Sequence, residues 1–384
     1  MVFYRTSYDI FTAENKEFGC LVDELLNECS ENDIVTRLIF FGKPQNNEEY
    51  TTRLAIIREK VREKFVDACP AVSYVAQRPL VGELVLEVYR VGADFEGKIE
   101  YCDYKGIHYL KIEDDEHREL VIGSLQGKDL NAGILQQSDE VFADLGELLE
   151  KEKCSIHSIV RQWNYIERIT AFNGDHQHYQ DFNDSRSHFY SRTDWPEGYP
   201  AATGIGTQLG GVLVDVNAII PKLPYFRCVP LDNALQVAAH AYSQEVLLGT
   251  EDKVFKEKTT PKFERAKAVV GAERGLVYIS GTAAIRGEQS LTDVGILVQT
   301  GTTMENINYL ISEENLNKAG ICPDGACQLE MLRVYLKNPE DVTAVKVYME
   351  HLFTKVPISY LLADVCRDEL LIEIEGIASF AVKE

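Results

Sequence analysis

The sequence predicts an α+β protein made of three similar units, each with a mixed sheet backed by two helices. The first observation is a strand pair that occurs three times: a proline, small or β-branched residues, a polar turn, and an apolar strand that ends at a carboxylate. The copies begin at Pro70, Pro200 and Pro357, and their carboxylates are Glu87, Asp215 and Glu373. The second observation is a helical pattern before every copy. A repeat on this scale determines the architecture, so we predict three units folded as a pseudo-trimer within one chain.

The elements of the three units follow from residue periodicity and occur in the same order. Apolar residues at helical spacing predict the first helix of each unit over 18–26, 141–149 and 304–311. The same pattern predicts the second helix over 49–66, 182–192 and 339–353. Short runs rich in Val, Ile and Leu predict strands over 34–41, 84–89, 106–112, 119–124, 159–166, 212–216, 275–280 and 370–374. The first unit lacks an obvious leading hairpin.

These elements divide the 384 residues into four parts. The parts are a truncated unit over 1–94, a second unit over 95–220, a connector over 221–262 and a third unit over 263–384. Within the connector, apolar residues between Leu231 and Ala241 predict a helix. The charged, turn-rich stretch 243–263 predicts a surface arm or a lid.

Composition excludes several classes of function. A net charge of −22 argues against a nucleic-acid partner, because phosphate binding needs a basic surface. No apolar run approaches the roughly 20 residues of a membrane span, and the first residues lack the apolar core of a signal peptide. Nine scattered cysteines suit a reducing compartment better than a disulfide framework. We therefore expect a cytoplasmic protein with no membrane partner, and either a monomer or a weak homo-oligomer.

The repeated unit resembles the RidA/YjgF family, which also carries an endoribonuclease L-PSP-like label and shares its fold with chorismate mutase-like proteins. The resemblance implies one sheet backed by two helices per unit and clefts between units, of which one can retain chemistry. RidA imine deaminases hold the substrate carboxylate with an arginine near the opening proline. The equivalent positions here are Val72, Ala202 and Ile358, so this activity is not expected.

A more specific resemblance is to the chorismatases, two-domain relatives of RidA that hydrolyse chorismate and release pyruvate. It covers the chain from about Ile156 to the C-terminus, with similar segments in the same order. Those segments are 161–166, 182–186, 200–207, 261–266, 279–285, Gln299 and 364–375. The resemblance implies a cofactor-free hydrolase or lyase that acts on a small cyclic or aromatic carboxylate.

Glu373 occupies the position of the chorismatases' functional glutamate. Hydrolysis of an enolpyruvyl ether needs an acid that protonates the terminal methylene carbon, and an apolar strand raises a carboxyl's pKa toward that task. Glu375 should lie on the same face of the strand, because side chains repeat with period two, and could orient Glu373. The alternative is that both are solvated carboxylates at a strand edge.

Chorismate carries two carboxylates, and arginine pairs with a carboxylate through two parallel hydrogen bonds. The candidate arginines in the resembling segments are Arg161, Arg186, Arg265 and Arg286. Arg265 and Arg286 rank highest because they flank the strand that carries Ser280-Gly-Thr-Ala-Ala, where Thr282 and Ala283 could let a ligand approach the backbone. Tyr165 could line the ring-binding wall. Surface ion pairs, a tight strand end and a core tyrosine are the alternatives.

Two departures from the chorismatase pattern bear on the ligand. Ala241 stands where the resemblance leads us to expect a carboxylate-binding arginine, and Glu288 stands where a histidine is usual. Both changes favour a less anionic ligand. Metal ligation is also weakly supported: the segment Asp175-His-Gln-His-Tyr179 has two histidines but no further ligands at metal spacing, so we expect a solvated loop and no metal or other cofactor.

Three hypotheses remain from the sequence. The first is a chorismatase-like hydrolase or lyase with Glu373 as general acid. The second is a non-catalytic small-molecule binding or regulatory protein that kept the cleft. The third is a purely structural role for the pseudo-trimer.

Overall fold

The structure, a computed structural model, describes residues 6–14, 16–30, 33–92 and 95–383. The predicted domain limits at residues 1, 94 and 384 lie outside these ranges. The chain forms three principal sheets of four, six and seven strands, and two short two-stranded sheets. With helices beside each principal sheet, the predicted α+β class is confirmed. Within the described ranges, no helix is long and apolar enough to cross a membrane.

The first sheet has strand order β1-β5-β2-β3. Its segment of the chain contains β1 (Thr6–Ala13), α1 (Phe18–Asn27), β2 (Ile34–Phe41), α2 (Asn47–Phe65), β3 (Ala71–Val75), β4 (Arg78–Pro79) and β5 (Leu84–Val91). The side chain of Asn46 starts α2 by accepting a hydrogen bond from the Glu49 amide at 2.9 Å, as a helix N-cap does. The apolar faces of both helices pack on the outer face of this sheet.

The second sheet has strand order β12-β9-β13-β8-β7-β6. Its elements are β6 (Lys98–Tyr104), β7 (Ile107–Glu113), β8 (His117–Gln126), α3 (Ile134–Lys151), β9 (Ile159–Glu167), β10 (Phe172–Asn173), β11 (His176–Gln177), α4 (His178–Tyr190), β12 (Ala201–Thr207) and β13 (Val212–Pro221). The helix α4 begins four residues before the predicted start at Phe182. Its first turn therefore includes His178 and Tyr179, which we predicted to lie in a solvated loop.

The third sheet has strand order β14-β15-β16-β21-β19-β20-β4, so β4 crosses over from the first segment of the chain. Its elements are β14 (Arg227–Leu231), β15 (Ala266–Val270), β16 (Arg274–Ala283), β17 (Ile285–Arg286), β18 (Gln289–Ser290), α5 (Ile296–Leu310), α6 (Glu313–Lys318), β19 (Gln328–Leu336), α7 (Val342–Leu352), β20 (Ile358–Leu362) and β21 (Ile372–Ala381).

The predicted connector helix over 231–241 is wrong. Leu231 ends β14, which pairs with β15 at the edge of the third sheet, and only a short 3-10 turn forms at Ala239–Ala241. The Asn233 side chain accepts a hydrogen bond from the Leu235 amide at 2.9 Å, and this local bond competes with a helix. The apolar residues also separate: Leu231 is buried, whereas Leu235 and Val237 are exposed.

The three sheets share one pattern of pairing. In each, a central strand (β2, β9 or β19) pairs in parallel with β3, β12 or β20 and antiparallel with β5, β13 or β21. The inner faces of the sheets bury a common apolar core that includes Ile39 from the first sheet, Trp163 from the second and Leu276 from the third. This arrangement supports the interpretation of three related units around one centre.

Buried ionic contacts join the sheets around this core. We call each contact a carboxylate clamp, because an arginine and a hydroxyl from one sheet hold a carboxylate of the next sheet. The three clamps are Arg37 and Ser73 with Asp215, Arg161 and Thr203 with Glu375, and Arg333 and Ser359 with Glu87. They run cyclically, from the first sheet to the second, to the third and back to the first.

The clamps correct the alignment of the sequence repeat. Glu87 lies in register with Ser73 across β2, and Asp215 lies in register with Thr203 across β9. In the third sheet the residue in register with Ser359 is Glu375. The repeat, which matched Glu373 to the other two carboxylates, is therefore displaced by two residues in its third copy. Glu373 is an additional acid with no carboxylate counterpart in the other sheets.

Candidate active site

A partly enclosed cavity lies where the second and third sheets meet. Strand β12 approaches β16 there: the Ala202 amide donates to Ser280 Oγ at 2.9 Å, and Ser280 Oγ donates to the Glu264 carbonyl at 2.6 Å. The first turns of α4 form one wall and the end of β21 forms another. Residues 242–263, which we call the cover segment, contribute the remaining wall. A concave site with apolar walls and a few convergent polar groups is typical of small-ligand sites.

Glu373 projects from β21 into this cavity and is only 4% exposed. Burial, with a smaller contribution from the nearby negative charge of Glu375, raises the pKa of its carboxyl to about 8, although Arg161 and Arg265 oppose the shift. No hydrogen bond joins this carboxyl to any residue that the structure describes. Glu373 is therefore a neutral acid near pH 7 whose proton faces open space.

Gly281 makes room for this carboxyl. A Cβ atom at position 281 would overlap Oε1 of Glu373 and lie 3.0 Å from Cγ2 of Thr203. The Gly281 amide also donates to Thr203 Oγ1 at 3.0 Å, which fixes the strand beside the acid. A side chain at position 281 would therefore displace the Glu373 carboxyl.

Glu375 has the opposite electrostatic environment. Burial alone would raise the pKa of its carboxyl, but the guanidinium groups of Arg333 and Arg161 hold it below its ordinary value, assisted by hydroxyl donors. One of these is the Tyr335 hydroxyl, 2.7 Å from Oε1. Glu375 is thus an ionised carboxylate beside the protonated Glu373. When the surroundings of two neighbouring carboxyls push their pKa values apart, one can act as an acid while the other remains a fixed negative charge.

Arg265 is the predicted arginine that lines the cavity. Its guanidinium Nη2 donates to the Val237 carbonyl and to the Tyr242 hydroxyl, each at 2.6 Å. Its Nε is buried and has no hydrogen-bond partner among the described residues. Nor does a described carboxylate form an ion pair with it, so its charge remains available to an anionic ligand.

Arg367 is a cavity residue that the sequence analysis missed. Its Nη1 donates to the Glu288 carbonyl at 2.8 Å and lies 3.2 Å from Ser290 Oγ. The guanidinium groups of Arg367 and Arg265 lie 5.1 and 5.4 Å from the centre of the Tyr242 ring. Both arginines were in segments that resemble the chorismatases, but Arg367 lies on a loop without periodicity, and only the fold brings it beside Arg265.

Three other predicted residues lie in or next to the cavity. Ala283 lines it. Thr282 is buried, and its hydroxyl donates to the Ser280 carbonyl at 2.8 Å rather than facing the cavity. Arg161 lies behind Glu373, where it holds Glu375 and donates to Thr203 at 2.8 Å. Arg161 therefore acts on the cavity through charge and not through direct contact.

The remaining predicted residues lie elsewhere. Tyr165 belongs to the central core, and its hydroxyl accepts a hydrogen bond from Arg333 at 3.0 Å. Arg186 is buried on α4 and donates to Asn183 at 2.6 Å, one turn behind the cavity wall. Arg286 points away and pairs with Glu305 on α5. The positions of these residues on strands and helices did not show which way their side chains would point.

Ala241 and Glu288, the two departures from the chorismatase pattern, are not among the residues that line the cavity. Ala241 is exposed on the short 3-10 turn. The Glu288 carboxylate accepts hydrogen bonds from the amide and the hydroxyl of Ser243, at 2.9 and 2.8 Å. These bonds lower the pKa of Glu288 and fasten the cover segment to the β17–β18 turn. Its charge is therefore directed to the cover segment and not into the cavity.

Two further groups bear on the chemistry. Within the part of the chain that the structure describes, no cluster of three His, Cys, Asp or Glu side chains could hold a metal ion. His176 lies 3.4 Å from Asp181, and the neighbouring Gln177 and Tyr179 line the cavity. Burial and the negative charge of Glu373 raise the pKa of the Cys366 thiol to about 12. Cys366 is thus a neutral part of the wall.

The fold and this cavity define an α+β protein with a buried acid between two of its sheets. The same cavity holds two arginines, Arg265 and Arg367, that form no ion pair with a described carboxylate. The family model described as chorismatase FkbO/Hyg5-like, N-terminal, matches residues 96–218. A 3-hydroxybenzoate synthase of Streptomyces hygroscopicus is 32% identical over 246 residues, which cover 62% of this chain and 67% of the relative. A chorismatase of Streptomyces rapamycinicus is 30% identical over 232 residues, 58% of this chain and 64% of the relative.

The structural comparison extends over nearly the whole chain. A solved chorismatase structure has a TM-score of 0.69 and 21% sequence identity, and the match covers 98% of this chain and 99% of that one. The chain belongs to the chorismatase family, a family of enzymes. The resemblance noted from the sequence is thereby confirmed.

Proposed function

We propose that this protein cleaves the enolpyruvyl ether of chorismate, or of a closely related cyclic carboxylate, and releases pyruvate, with Glu373 as the general acid. The observation that carries the proposal is the state of Glu373: a buried carboxyl with a pKa of about 8, facing the cavity without a hydrogen-bond partner in the described part of the chain. Family membership supports the same substrate class.

The proposed chemistry needs a proton and a water molecule. Glu373 donates its proton to the terminal methylene carbon of the enolpyruvyl group, which becomes a methyl group and leaves an oxocarbenium ion at the ether carbon. Water adds to this carbon and returns a proton to Glu373. The resulting hemiketal breaks its bond to the ring oxygen; the proton of the hemiketal hydroxyl passes to that oxygen, which leaves as a hydroxyl, and the remaining carbonyl compound is released as pyruvate. The fixed charge of Glu375 favours the protonated Glu373 and stabilises the developing cation.

Substrate binding is assigned to the two free arginines. Chorismate has one carboxylate on the ring and one on the side chain. Arg265 and Arg367 present two guanidinium groups around Tyr242, and neither is neutralised by a carboxylate of the described chain. Such a pair compensates locally for an overall charge of −22. We propose that each arginine binds one substrate carboxylate. The Tyr242 ring, which packs between the two guanidinium groups, holds the arginines apart.

Pyruvate release from chorismate by the purified protein tests the proposal, with Arg265→Gln measured in parallel. Loss of a charge-assisted contact to the substrate should lower kcat/KM by roughly 30-fold or more, mainly through KM. Arg265→Lys should recover part of the loss because it keeps the charge.

Arg286→Gln is the matched control, since Arg286 lies on the nearby β17–β18 hairpin, pairs with Glu305 and does not line the cavity. It should change kcat/KM by less than about 2-fold. Well-folded wild-type protein that yields no pyruvate from chorismate, under conditions where bound chorismate is detected, would contradict the proposed cleavage.

Gly281→Ala provides an independent test of the acid's position. The added methyl group should displace the Glu373 carboxyl and lower kcat by roughly 10-fold or more, because small displacements of reacting groups are costly. The protein should still fold, as judged by circular dichroism and thermal unfolding. Gly295→Ala has open space around its new Cβ and should retain wild-type kcat. Equal rates for both variants would place the reacting acid elsewhere.

A further inference from the structure

The candidate active site is one of three clefts with the same construction. In each cleft, the second helix of one unit and the strand that pairs in parallel with its central strand face the closing strand of the next sheet. In the candidate active site these elements are α4, β12 and β21. The positions of the other two clefts that correspond to Glu373 are found by counting two residues back from each clamp carboxylate. They are Leu213, before Asp215, and Val85, before Glu87.

The cleft between the first and second sheets is filled by side chains. Tyr50 of α2 and Tyr74 of β3 stack with ring centres 5.3 Å apart. The Tyr50 hydroxyl donates to the Tyr74 carbonyl at 2.9 Å and accepts from Gln126 Nε2 at 2.8 Å. Gly210 packs against the Tyr50 ring from the other side. These contacts occupy the space that a ligand would need.

The cleft between the third and first sheets is open, and we call it the second cleft. It lies between α7 and β20 of the third sheet and β1 and β5 of the first. Val85 stands where Glu373 stands in the candidate active site, so the proposed acid has no equivalent at this position. By register, Tyr360 of β20 corresponds to Gly204 of β12.

The lining of the second cleft is mixed, with apolar and polar side chains in similar proportion and one buried hydroxyl to satisfy. Apolar side chains come from both sheets and from the segment before β20, for example Ile10, Val85 and Phe353. Tyr360 also lines the cleft and is 5% exposed, and its hydroxyl has no hydrogen-bond partner among the described residues. A buried hydroxyl without a partner is costly, and a ligand can supply one.

The charges of the second cleft balance each other. Lys346 and Glu350 on α7 lie 3.7 Å apart, and both side chains are well exposed at 40% and 59%. Two other polar strand residues line the cleft: Ser359, which already donates to Glu87 at 2.8 Å, and Thr12 of β1, which is exposed. The lining therefore offers no free cation comparable to Arg265 or Arg367, and it favours a ligand without a net charge.

We propose that the second cleft is a non-catalytic binding site for a small uncharged ring compound with one hydroxyl or carbonyl group, which bonds to the Tyr360 hydroxyl. The ring packs against Val85 and Ile10. The same construction that holds a reacting acid between the second and third sheets thus provides a separate ligand site between the third and first sheets.

Fluorine NMR titrations with 4-fluorophenol and fluorobenzene test this site on the full chain. Tyr360→Phe should weaken 4-fluorophenol binding by roughly 5-fold or more, since a buried hydrogen bond is lost, and should leave fluorobenzene binding unchanged. Val85→Phe fills the cleft and should weaken both probes by roughly 10-fold or more. Neither variant touches the cavity at Glu373, so pyruvate release from chorismate should stay within about 2-fold of wild type.

The outcomes separate this proposal from binding at the candidate active site. Loss of affinity in Tyr360→Phe for 4-fluorophenol alone supports the second cleft, even if Val85→Phe fails to fold. The same dissociation constants for wild type and Tyr360→Phe with both probes would assign any binding to another cavity and overturn the proposal. So would an absence of binding of either probe to wild-type protein at millimolar concentrations.

Discussion

The Glu373→Gln variant is expected to fold normally and to lose turnover by about 100-fold or more, the scale of general acid catalysis. Glutamine keeps the size of the side chain and fills the space beside Gly281, but it has no acidic proton. The neighbouring Glu375 cannot replace the acid, because Arg333 and Arg161 keep it ionised. Single-turnover pyruvate release with saturating chorismate measures the effect on the chemical step.

The pH dependence of wild-type turnover should report the same group. Glu373 acts while protonated, so kcat should be constant below about pH 7 and should fall as the pH rises through about 8, the pKa of its carboxyl. A rate that rises through this range would mean that the ionised form is active and that Glu373 is a base.

The Glu373→Gln variant should also be more stable than the wild type at neutral pH. The ordinary pKa of this carboxyl is 4.5 and its folded value is about 8, so the unfolded chain is ionised where the folded chain is still protonated. Wild-type stability is therefore full below about pH 4.5 and declines as the pH rises toward 8. Glutamine lacks this decline, and its free energy of unfolding should be higher by roughly 2 to 3 kcal/mol near pH 7.

Urea unfolding at several pH values measures this difference. The advantage of Glu373→Gln should be small at pH 5, should grow up to about pH 8 and should level off above it. A loss of activity with a stability difference that does not change with pH would contradict an elevated pKa. It would indicate a positioning role for the Glu373 side chain.

Much of the fold was accessible from the sequence because it depends on local patterns. Alternating strands, helical spacing and the prolines that open the strand pairs are each contained within about 20 residues. The connector helix was predicted wrongly for a tertiary reason: Leu231 completes a strand at the edge of the third sheet. A local pattern of apolar residues does not show which of them a sheet will bury.

The site was only partly accessible for the same reason. Glu373 and Arg265 were named from resemblance, and the structure places both in one cavity. Arg286 and Tyr165 were named on equal grounds, yet they point elsewhere, because a strand residue can face either side of its sheet. Arg367 lies on a loop without periodicity. The carboxylate clamps were inaccessible, since Arg333 and Glu87 are 246 residues apart in sequence.

The Arg333→Met variant is expected to lose more stability than the variants at Glu373, Arg265 or Gly281. Arg333 is fully buried at the centre of the three sheets. Its Nε donates to Glu87 at 2.9 Å, Nη1 lies 3.1 Å from the Tyr335 hydroxyl, and the group also pairs with Glu375. Methionine approximates the volume of the side chain but removes the charge that compensates two buried carboxylates.

Breaking one partner of a buried ion pair typically costs about 3 to 5 kcal/mol, because the other charge stays buried without compensation. Glu375 retains Arg161, whereas among the described residues Glu87 keeps only the Ser359 hydroxyl. Most of the cost should therefore come from Glu87. Urea unfolding of Arg333→Met should show a lower midpoint than that of the wild type. The control variant Lys318→Met breaks an exposed ion pair with Glu314 and should leave the midpoint unchanged.

A second substitution distinguishes lost attraction from an uncompensated charge. If the penalty comes from a charged Glu87 left in the core, Glu87→Gln in the Arg333→Met background should restore a substantial part of the stability, although it removes another polar contact. If the double variant is instead less stable than Arg333→Met, the clamp stabilises the fold through its hydrogen bonds. In either case the effect should extend to the cavity, because Arg333 helps to keep Glu375 ionised beside Glu373.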